Sequence, residues 1–226
     1  MPGGEMTSEQ VALVRFDTEP AAAKYEGALD GTRTHRREVR CIARALAGVP
    51  RGGRVLDLPC GTGRLLPDLV GMGYRVTAAD ASHHMLQRAR EHIGQCAPEH
   101  DVSFCVSQAA NTAFDDGAFD AVVCNRLLHH FREAAARRGC LEELRRICRG
   151  VVVASFFRNL AVDAWLTRLR NAVRGHRAHD RIPVSLQTFF ADAQAAGLAV
   201  TAVMGKRPYV SEQWYAVMAP LGASHR

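Results

Sequence analysis

Two acidic residues and the glycine-rich turn between them are the first residues in this sequence whose types and spacing could do chemistry. Asp57 ends an apolar run and is followed by Gly61 and Gly63, and Asp80 ends the next β-branched run. Ligands of open α/β sheets bind beyond the carboxyl ends of the strands, so both carboxylates are expected at one edge. A carboxylate after the second strand can accept hydrogen bonds from ribose hydroxyls. The pattern therefore predicts a nucleoside site.

The glycine turn fits neither of the common phosphate-binding loops. The dinucleotide pattern needs Gly or Ala at a third position, where this chain has Leu66, and no Gly-Lys-Ser/Thr sequence follows. Asp57 would also repel a phosphate. An acidic residue before a glycine turn suits a ligand with a cationic end, and a sulfonium that carries an amino-acid tail fits. Its ammonium group would meet acidic or carbonyl groups, and its ribose would meet Asp80.

The elements that must position these residues alternate between short β-branched runs and longer amphipathic stretches. The predicted strands are 54–58, 74–80, 102–107, 119–125, 150–157, 198–204 and 214–220, and the predicted helices are 37–49, 63–73, 83–93, 132–149 and 186–197. Alternation of this kind predicts an α/β fold with a doubly wound, mostly parallel sheet covered on both faces. No helix separates the last two strands, so they are expected to pair as an antiparallel hairpin in a seven-stranded sheet.

Three stretches of the chain resemble motifs of the class I S-adenosylmethionine-dependent methyltransferases. "VLDLPCGTGR" (55–64) is similar to the first motif, D-x-G-x-G-x-G, with Pro59 in place of its first glycine. "VTAADASHHML" (76–86) resembles the second motif, and "SQAANTAFDDGAFDAVVCNRLLHHF" (107–131) resembles the stretch through the third and fourth. The resemblance covers roughly residues 25 to 220. It implies a Rossmann-like fold, S-adenosylmethionine as cofactor, S-adenosylhomocysteine as product and a small-molecule methyltransferase activity.

The resemblance also assigns the residues that bind the cofactor. It makes Asp80 the ribose ligand, places Met85 near the adenine, and puts Asn125 and Arg126 beside the methionine part and the methyl group. Where the family often has Gly-Asp-Ala, this chain has Ser107-Gln108-Ala109, so the Gln108 amide oxygen would accept from the adenine amino group or point away. The expected cofactor-binding residues are Tyr25, Asp57, Leu58, Pro59, Cys60, Gly61, Gly63, Asp80, Ala81, Met85, Gln108, Ala109, Asn125 and Arg126.

The candidate catalytic residues are two adjacent histidines and an N-terminal tyrosine. Methyl transfer is an in-line displacement in which positioning can supply much of the catalysis, and a base is needed only if the acceptor must lose a proton. By resemblance to phosphobase methyltransferases of this fold, His130 would act as base with Tyr25, and His129 is the neighbouring candidate. The alternatives are that His130 caps a helix or packs under the cofactor, and that Tyr25 belongs to a lid.

Segments at both ends of the core are expected to cover the site. We predict a helical lid at 1–50 and a methyltransferase core at 51–226, with a substrate-covering insertion at 158–185. The insertion contains Arg158 and five further arginines, which could bind a carboxylate or phosphate on an anionic acceptor or could lie on a solvated helix face.

The basic composition does not by itself indicate a nucleic-acid partner. The net charge is +6, but Lys24 and Lys206 are the only lysines among the 29 basic residues. A biased nucleotide composition of the genome explains such an excess of arginine. The seven cysteines include no C-x-x-C pair, which favours neither a disulfide framework nor a metal site, and Cys60 is either a small hydrophobe or a reactive thiol. No apolar run approaches the roughly 20 residues of a membrane helix, and no secretory signal is recognisable, so a cytoplasmic monomer or homodimer is expected.

Two other functions stay open at this point. The acceptor could be RNA or protein instead of a small molecule, although no RNA-binding module and no Asn/Asp-Pro-Pro-Tyr motif are found in the sequence. The protein could also bind a nucleoside without catalysing a reaction, because Pro59 and Gln108 depart from the family pattern.

Overall fold

The computed structural model describes residue 18 and residues 31–158, 182–205 and 212–222. The strands are β1 (Arg54–Asp57), β2 (Arg75–Asp80), β3 (Ser103–Val106), β4 (Phe119–Cys124), β5 (Cys148–Phe157), β6 (Leu198–Gly205) and β7 (Gln213–Pro220). The helices are α1 (Arg33–Ala45), α2 (Leu66–Gly71), α3 (His83–Cys96), α4 (Ala134–Ile147) and α5 (Leu186–Ala195), with one 3₁₀ turn at Leu128–His130.

The strands form one seven-stranded sheet in the order β3-β2-β1-β4-β5-β7-β6. Neighbouring strands from β3 to β5 pair in parallel, and β7 pairs antiparallel with both β5 and β6. This arrangement confirms the predicted fold class, including the antiparallel hairpin. The strand order reverses between β1 and β4, which is the topological switch point where sheets of this kind bind ligands.

Two predicted helices begin at other residues than expected, for local reasons. Helix α1 begins at Arg33 instead of residue 37, because the Thr32 side chain accepts a hydrogen bond from the backbone N–H of His35 at 3.1 Å and caps the helix. Helix α2 begins at Leu66 instead of residue 63, because the preceding turn has φ of +54° at Gly61 and +80° at Gly63. Residues 107–118 connect β3 to β4 without a helix.

Apolar side chains fill both faces of the sheet. One core cluster lies between the sheet and helices α4 and α5, where the rings of Phe156 and Phe189 stack with centroids 4.2 Å apart. The other cluster lies against α1, α2 and α3 and includes Ile42 and Leu86. Burial of apolar side chains of this size contributes about 1.5–3 kcal/mol each. Within the described ranges, no helix has both the length and the apolar content needed to cross a bilayer.

Gly63 allows the turn after β1 to pack directly on helix α3. A Cβ atom at this position would lie 2.9 Å from both Cα and Cβ of Ala89, and the positive φ is itself unfavourable for any other residue. We expect Gly63→Ala to lower the free energy of unfolding by about 3 kcal/mol, because strain and overpacking add. Gly52 also has a positive φ, but a Cβ atom there would have no heavy atom within 4 Å. Gly52→Ala should therefore cost only about 1–2 kcal/mol in urea unfolding; equal losses would contradict the packing argument.

Candidate functional site

The carboxylate of Asp80 connects two loops at the carboxyl edge of the sheet. Its Oδ2 atom accepts a hydrogen bond from the backbone N–H of Gly61 at 2.9 Å, and its Oδ1 atom accepts one from the backbone N–H of Ser82 at 3.0 Å. Ser82 also caps helix α3, because its hydroxyl accepts from the N–H of Met85 at 3.3 Å. The residues expected around the ribose, including Ala81, therefore come together at the end of β2.

The glycine turn uses its own N–H groups to bind the rest of the protein. Four N–H groups donate to oxygen atoms of the chain: Leu58 to Val123 at 3.0 Å, Cys60 to Ala79 at 2.8 Å, Gly61 to Asp80 at 2.9 Å and Gly63 to Cys60 at 3.0 Å. Pro59, which follows a cis peptide bond, has no N–H group. A phosphate-binding loop must direct such donors at its ligand. This geometry supports a ligand that is bound through oxygen atoms of the turn and its flanking residues.

Asp57 lies buried at the end of β1 with both carboxyl oxygens unsatisfied. The residue is 1% exposed, and neither oxygen has a hydrogen-bond partner among the residues that the structure describes. Burial raises the pKa of Asp57 from 3.8 to about 8, the nearby Arg64 charge opposes this rise, and the Asp80 charge adds to it. Buried carboxyl groups without partners are rare because they are destabilising. A donor group on a ligand, above all a cation, would satisfy both oxygens.

Arg126 provides the opposite charge on the next strand. It follows β4 with a φ of +62°, and its backbone N–H donates to the Ser155 hydroxyl at 2.7 Å. Its Nη2 group pairs with Glu38, but its buried Nε atom has no partner among the described residues. Because β1 and β4 are adjacent, an unsatisfied acceptor and an unsatisfied donor occur on neighbouring strand ends.

Glu38 holds two arginines at the site from helix α1. Its side chain is fully buried, and it pairs with Arg126 through Oε1 and with Arg64 through Oε2 at 2.7 Å. Arg64 directly follows the glycine turn, so this single carboxylate joins α1, the turn and the end of β4. The sequence analysis did not identify Glu38 or Arg64, because the motif spacing does not indicate which face of the N-terminal helix meets the site.

Strand β7 fixes the orientation of Asn125. The Asn125 Oδ1 atom accepts hydrogen bonds from the Gln213 amide and from the Tyr215 hydroxyl, each at 3.2 Å. Tyr215 is fully buried, and burial raises the pKa of its hydroxyl well above its ordinary value, so the group stays a donor. These contacts link residues about 90 positions apart and depend on the antiparallel insertion of β7 next to β5, which motif spacing alone does not indicate.

On the adenine side, two orientations of Gln108 were left open by the sequence. Gln108 is exposed and forms a narrow turn in which its carbonyl oxygen accepts from the N–H of Asn111 at 3.3 Å. The preceding Ser107 is buried, and its hydroxyl has no partner among the described residues. Ser107 lies beside the ribose candidate, since its N–H donates to the Asp80 carbonyl oxygen at 3.0 Å. Met85 is buried and Ala109 half-buried nearby. Ser107 is thus a further candidate that the sequence analysis missed.

The two histidines occupy different environments in the 3₁₀ turn after β4. His129 is buried, with its ring centroid 4.6 Å from that of Phe157 and 4.0 Å from that of His130. His130 is half-buried, which leaves it the better placed of the two to reach an acceptor. Tyr25, its expected partner, lies outside the described residues.

Cys60 does not have the properties of a reactive thiol. The residue is buried, and burial, with the Asp80 and Asp57 charges, raises the pKa of its thiol well above the ordinary value. The thiolate is the reactive form, so this cysteine acts as a small apolar side chain. Within residues 31–158, 182–205 and 212–222, no group of three or more His, Cys, Asp or Glu side chains is placed to hold a metal ion.

The chain has recognisable relatives. Residues 55–150 match the family model described as a methyltransferase domain. The chain is 35% identical over 134 residues to a phosphatidylethanolamine N-methyltransferase of Cereibacter sphaeroides. These aligned residues cover 56% of this chain and 64% of the relative. It is 39% identical over 104 residues to a demethylmenaquinone methyltransferase of Clavibacter sepedonicus, and this alignment covers 46% of this chain and 40% of the relative. The chain thus spans less than two thirds of either relative.

A solved structure extends the similarity over nearly the whole fold. The magnesium protoporphyrin IX methyltransferase of Synechocystis, with bound SAH, superposes with a TM-score of 0.74 at 14% identity and covers 93% of this chain and 98% of that chain. The sheet order and the antiparallel β7 define a Rossmann-like α/β class of protein. With the matching family model and curated relatives, residues 55–150 form a methyltransferase domain, and the chain is similar to the class I S-adenosylmethionine-dependent methyltransferases.

The raised pKa of Asp57 predicts how stability depends on pH. Between about pH 4 and about pH 8 the folded protein keeps a proton on Asp57 that the unfolded chain releases. The stability that this proton contributes is therefore complete below that pH range and is lost as the pH rises through it. Within this range the free energy of unfolding falls by about 1.4 kcal/mol for each pH unit. Asp57→Asn keeps the size of the side chain but cannot titrate. In urea unfolding between pH 5 and pH 8, the variant should therefore gain stability relative to the wild type as the pH rises; parallel curves would contradict the assignment.

Proposed function

We propose that the protein is an S-adenosylmethionine-dependent methyltransferase that transfers a methyl group to an oxygen or nitrogen atom of a small molecule. The observation that carries this proposal is the buried carboxyl group of Asp57, which has no partner among the described residues and precedes a turn in which the N–H groups of Cys60, Gly61 and Gly63 already bind oxygen atoms of the protein. Such a site disfavours a phosphate and favours a cation. A methionine ammonium group is a cation of suitable size, and it would stabilise the ionised form of Asp57.

The amino-acid end of the cofactor fits the two unsatisfied groups. Its ammonium group would bind Asp57 and carbonyl oxygens of the turn, and its carboxylate would accept from the Nε atom of Arg126. A zwitterion of this kind matches an unsatisfied acceptor and an unsatisfied donor on adjacent strands. Arg64 would help by attracting the carboxylate, while Glu38 keeps both arginines in place.

The adenosine part would lie along the ends of β2 and β3. A carboxylate accepts up to about four hydrogen bonds, so one that serves two backbone N–H groups can also accept from ribose hydroxyls. Asp80 is therefore the proposed ribose ligand. Ser107 and Gln108 are the candidates for the adenine amino group, and Met85 packs near the ring. The remaining backbone contacts are expected from Leu58, Pro59, Cys60, Gly61, Gly63, Ala81 and Ala109.

The catalytic contribution of the protein is mainly to position the reactants. When bound, the cofactor supplies an electrophilic methyl group on its sulfonium. Asn125 would border that methyl group, because Gln213 and Tyr215 fix its side chain. For an acceptor that must lose a proton, His130 is the proposed base, with Tyr25 as its proposed partner. For an acceptor nitrogen with a free lone pair, no base is needed.

The curated relatives support a small-molecule acceptor, since their names denote methyltransferases of a lipid and a quinone precursor. We keep as predictions that the acceptor is anionic, that residues 1–50 form a lid and 158–185 cover the substrate, and that the protein is a cytoplasmic monomer or homodimer.

Steep salt dependence of tRNA binding would instead favour an RNA substrate. A failure to form S-adenosylhomocysteine with any acceptor would favour a binding protein without activity.

Loss of Asp80 should weaken cofactor binding. Asp80→Ala removes the acceptor for two ribose hydroxyls, and hydrogen bonds to charged groups contribute about 1.5–3 kcal/mol each, so we expect the calorimetric Kd for S-adenosylhomocysteine to rise at least about tenfold. Asp120→Ala is the matched control. Asp120 accepts from the Arg54 N–H at 2.8 Å and pairs with Arg149, but it lies at the opposite edge of the sheet. Wild-type protein that binds neither cofactor form would refute the proposed function.

Loss of Glu38 should weaken cofactor binding through the two arginines. Asp192 is the matched control, because it is also a buried carboxylate with two arginine partners, Arg137 and Arg138, between α4 and α5. We expect Glu38→Gln and Asp192→Asn each to lower the free energy of unfolding by about 2 kcal/mol or more. Only Glu38→Gln should raise the Kd for S-adenosylhomocysteine, measured where both variants are folded. Equal Kd values for the two variants would show that Glu38 is structural only.

A further inference from the structure

Arg158 lies at the carboxyl edge of the sheet, two strands away from Asp57. It is the first residue after β5, and its backbone N–H donates to the carbonyl oxygen of Glu212 at 2.8 Å. It also forms a parallel bridge with Val184, so the backbone is held on both sides. The guanidinium carbon lies 4.5 Å from the ring centroid of Trp214 on β7. An arginine stacked on an aromatic ring in this way keeps its hydrogen-bond donors available.

The charge of Arg158 is not balanced by a carboxylate in the described part of the chain. Three other arginines near this end have carboxylate partners: the half-buried Arg64 and Arg126 share Glu38, and the buried Arg137 pairs with Asp192. Arg158 is half-buried, and its guanidinium group lies over the face of Trp214. An arginine held in place in this way, with no anion among the described residues, is suited to bind one from a ligand.

Aromatic rings border the strand end that carries Arg158. Phe157 precedes it and is 4% exposed, and its ring contacts that of His129. The chain returns to the same place after residue 181, since the Ile182 N–H donates to the His129 carbonyl oxygen and the Val184 N–H to that of Phe157, each at 2.8 Å. The end of β5 therefore has aromatic side chains beside a fixed positive charge.

We propose that Arg158, stacked on Trp214, binds an acidic group, carboxylate or phosphate, of the methyl acceptor. The proposal rests on the proposed function, because it takes the ends of β1 and β2 to be occupied by the cofactor. Asp57 is level with Val153 on β5, two strands away, and Arg158 lies five residues beyond Val153. With strands about 4.8 Å apart and a rise of about 3.3 Å per residue, the backbones of Asp57 and Arg158 are about 19 Å apart. That separation leaves room for the acceptor atom near Asn125, between the cofactor and the anion.

The test uses the fluorescence of Trp214. Trp165→Phe leaves Trp214 as the only tryptophan in the chain. This protein, saturated with S-adenosylhomocysteine, is titrated with benzoate, phenyl phosphate and the neutral benzamide, and Kd values are read from the fluorescence change. We expect at least one of the two anions to bind about tenfold more tightly than benzamide, because a charge-assisted pair contributes at least about 1.5 kcal/mol. The preferred anion separates a carboxylate acceptor from a phosphate acceptor.

Two variants in the same background decide the result. Arg158→Gln should abolish the preference for the anion and leave the calorimetric Kd for S-adenosylhomocysteine unchanged. Arg90→Gln is the matched control, because Arg90 stacks on Phe104 at 4.9 Å but lies on α3, away from the end of β5; it should keep the preference. Equal affinity for all three probes, or a preference that survives Arg158→Gln, would overturn the inference. Failure of the wild type to bind S-adenosylhomocysteine would refute the proposed function instead.

Discussion

The hydrogen bonds of the Asp80 carboxylate to Gly61 and Ser82 are the contacts on which the rest of the site depends. They join the glycine turn after β1 to the start of α3, so the ends of two strands move as one unit. The turn can then pack on Ala89 because Gly63 has no side chain. A ligand that binds Asp80 therefore meets a surface that is already assembled, which reduces the entropy lost on binding.

The hydrogen bonds that the N–H groups of the turn form with the protein determine the sign of the charge that a ligand there must carry. Each donor that binds an oxygen atom of the protein is lost to an anion, and the N–H groups of Leu58, Cys60, Gly61 and Gly63 are used in this way. Asp57 adds to this set a buried carboxyl group that no described residue satisfies. The glycine spacing resembles that of phosphate-binding loops, but the hydrogen bonds make the site suitable for a cation. Glycine positions alone thus determine the backbone path, and the partners of the N–H groups determine the chemistry.

The fold could be predicted from the sequence because it depends on local patterns. Alternating strand and helix periodicity identified all seven strands within a few residues, and the missing helix between β6 and β7 predicted their antiparallel pairing. Helix ends were less accurate, since the Thr32 cap and the positive φ of Gly63 act on single residues. The Glu38–Arg126 pair and the Gln213–Asn125 contact could not be predicted, because they join residues about 90 positions apart whose faces depend on packing. Gln108 was a candidate by motif, yet the buried hydroxyl nearby belongs to Ser107.

Along the carboxyl edge of the sheet, the residues change from acidic to basic in the order of the strands. Asp80 ends β2, Asp57 ends β1, Asn125 and Arg126 follow β4, and Arg158 follows β5, in the order in which these strands lie side by side. The acidic end favours a cationic cofactor, and the basic end favours an anion. The ammonium and ribose groups proposed to meet Asp57 and Asp80 are unchanged by methyl transfer, so the acidic end would bind the cofactor and its product through the same contacts. The acceptor would then be the part of the complex that the basic end distinguishes.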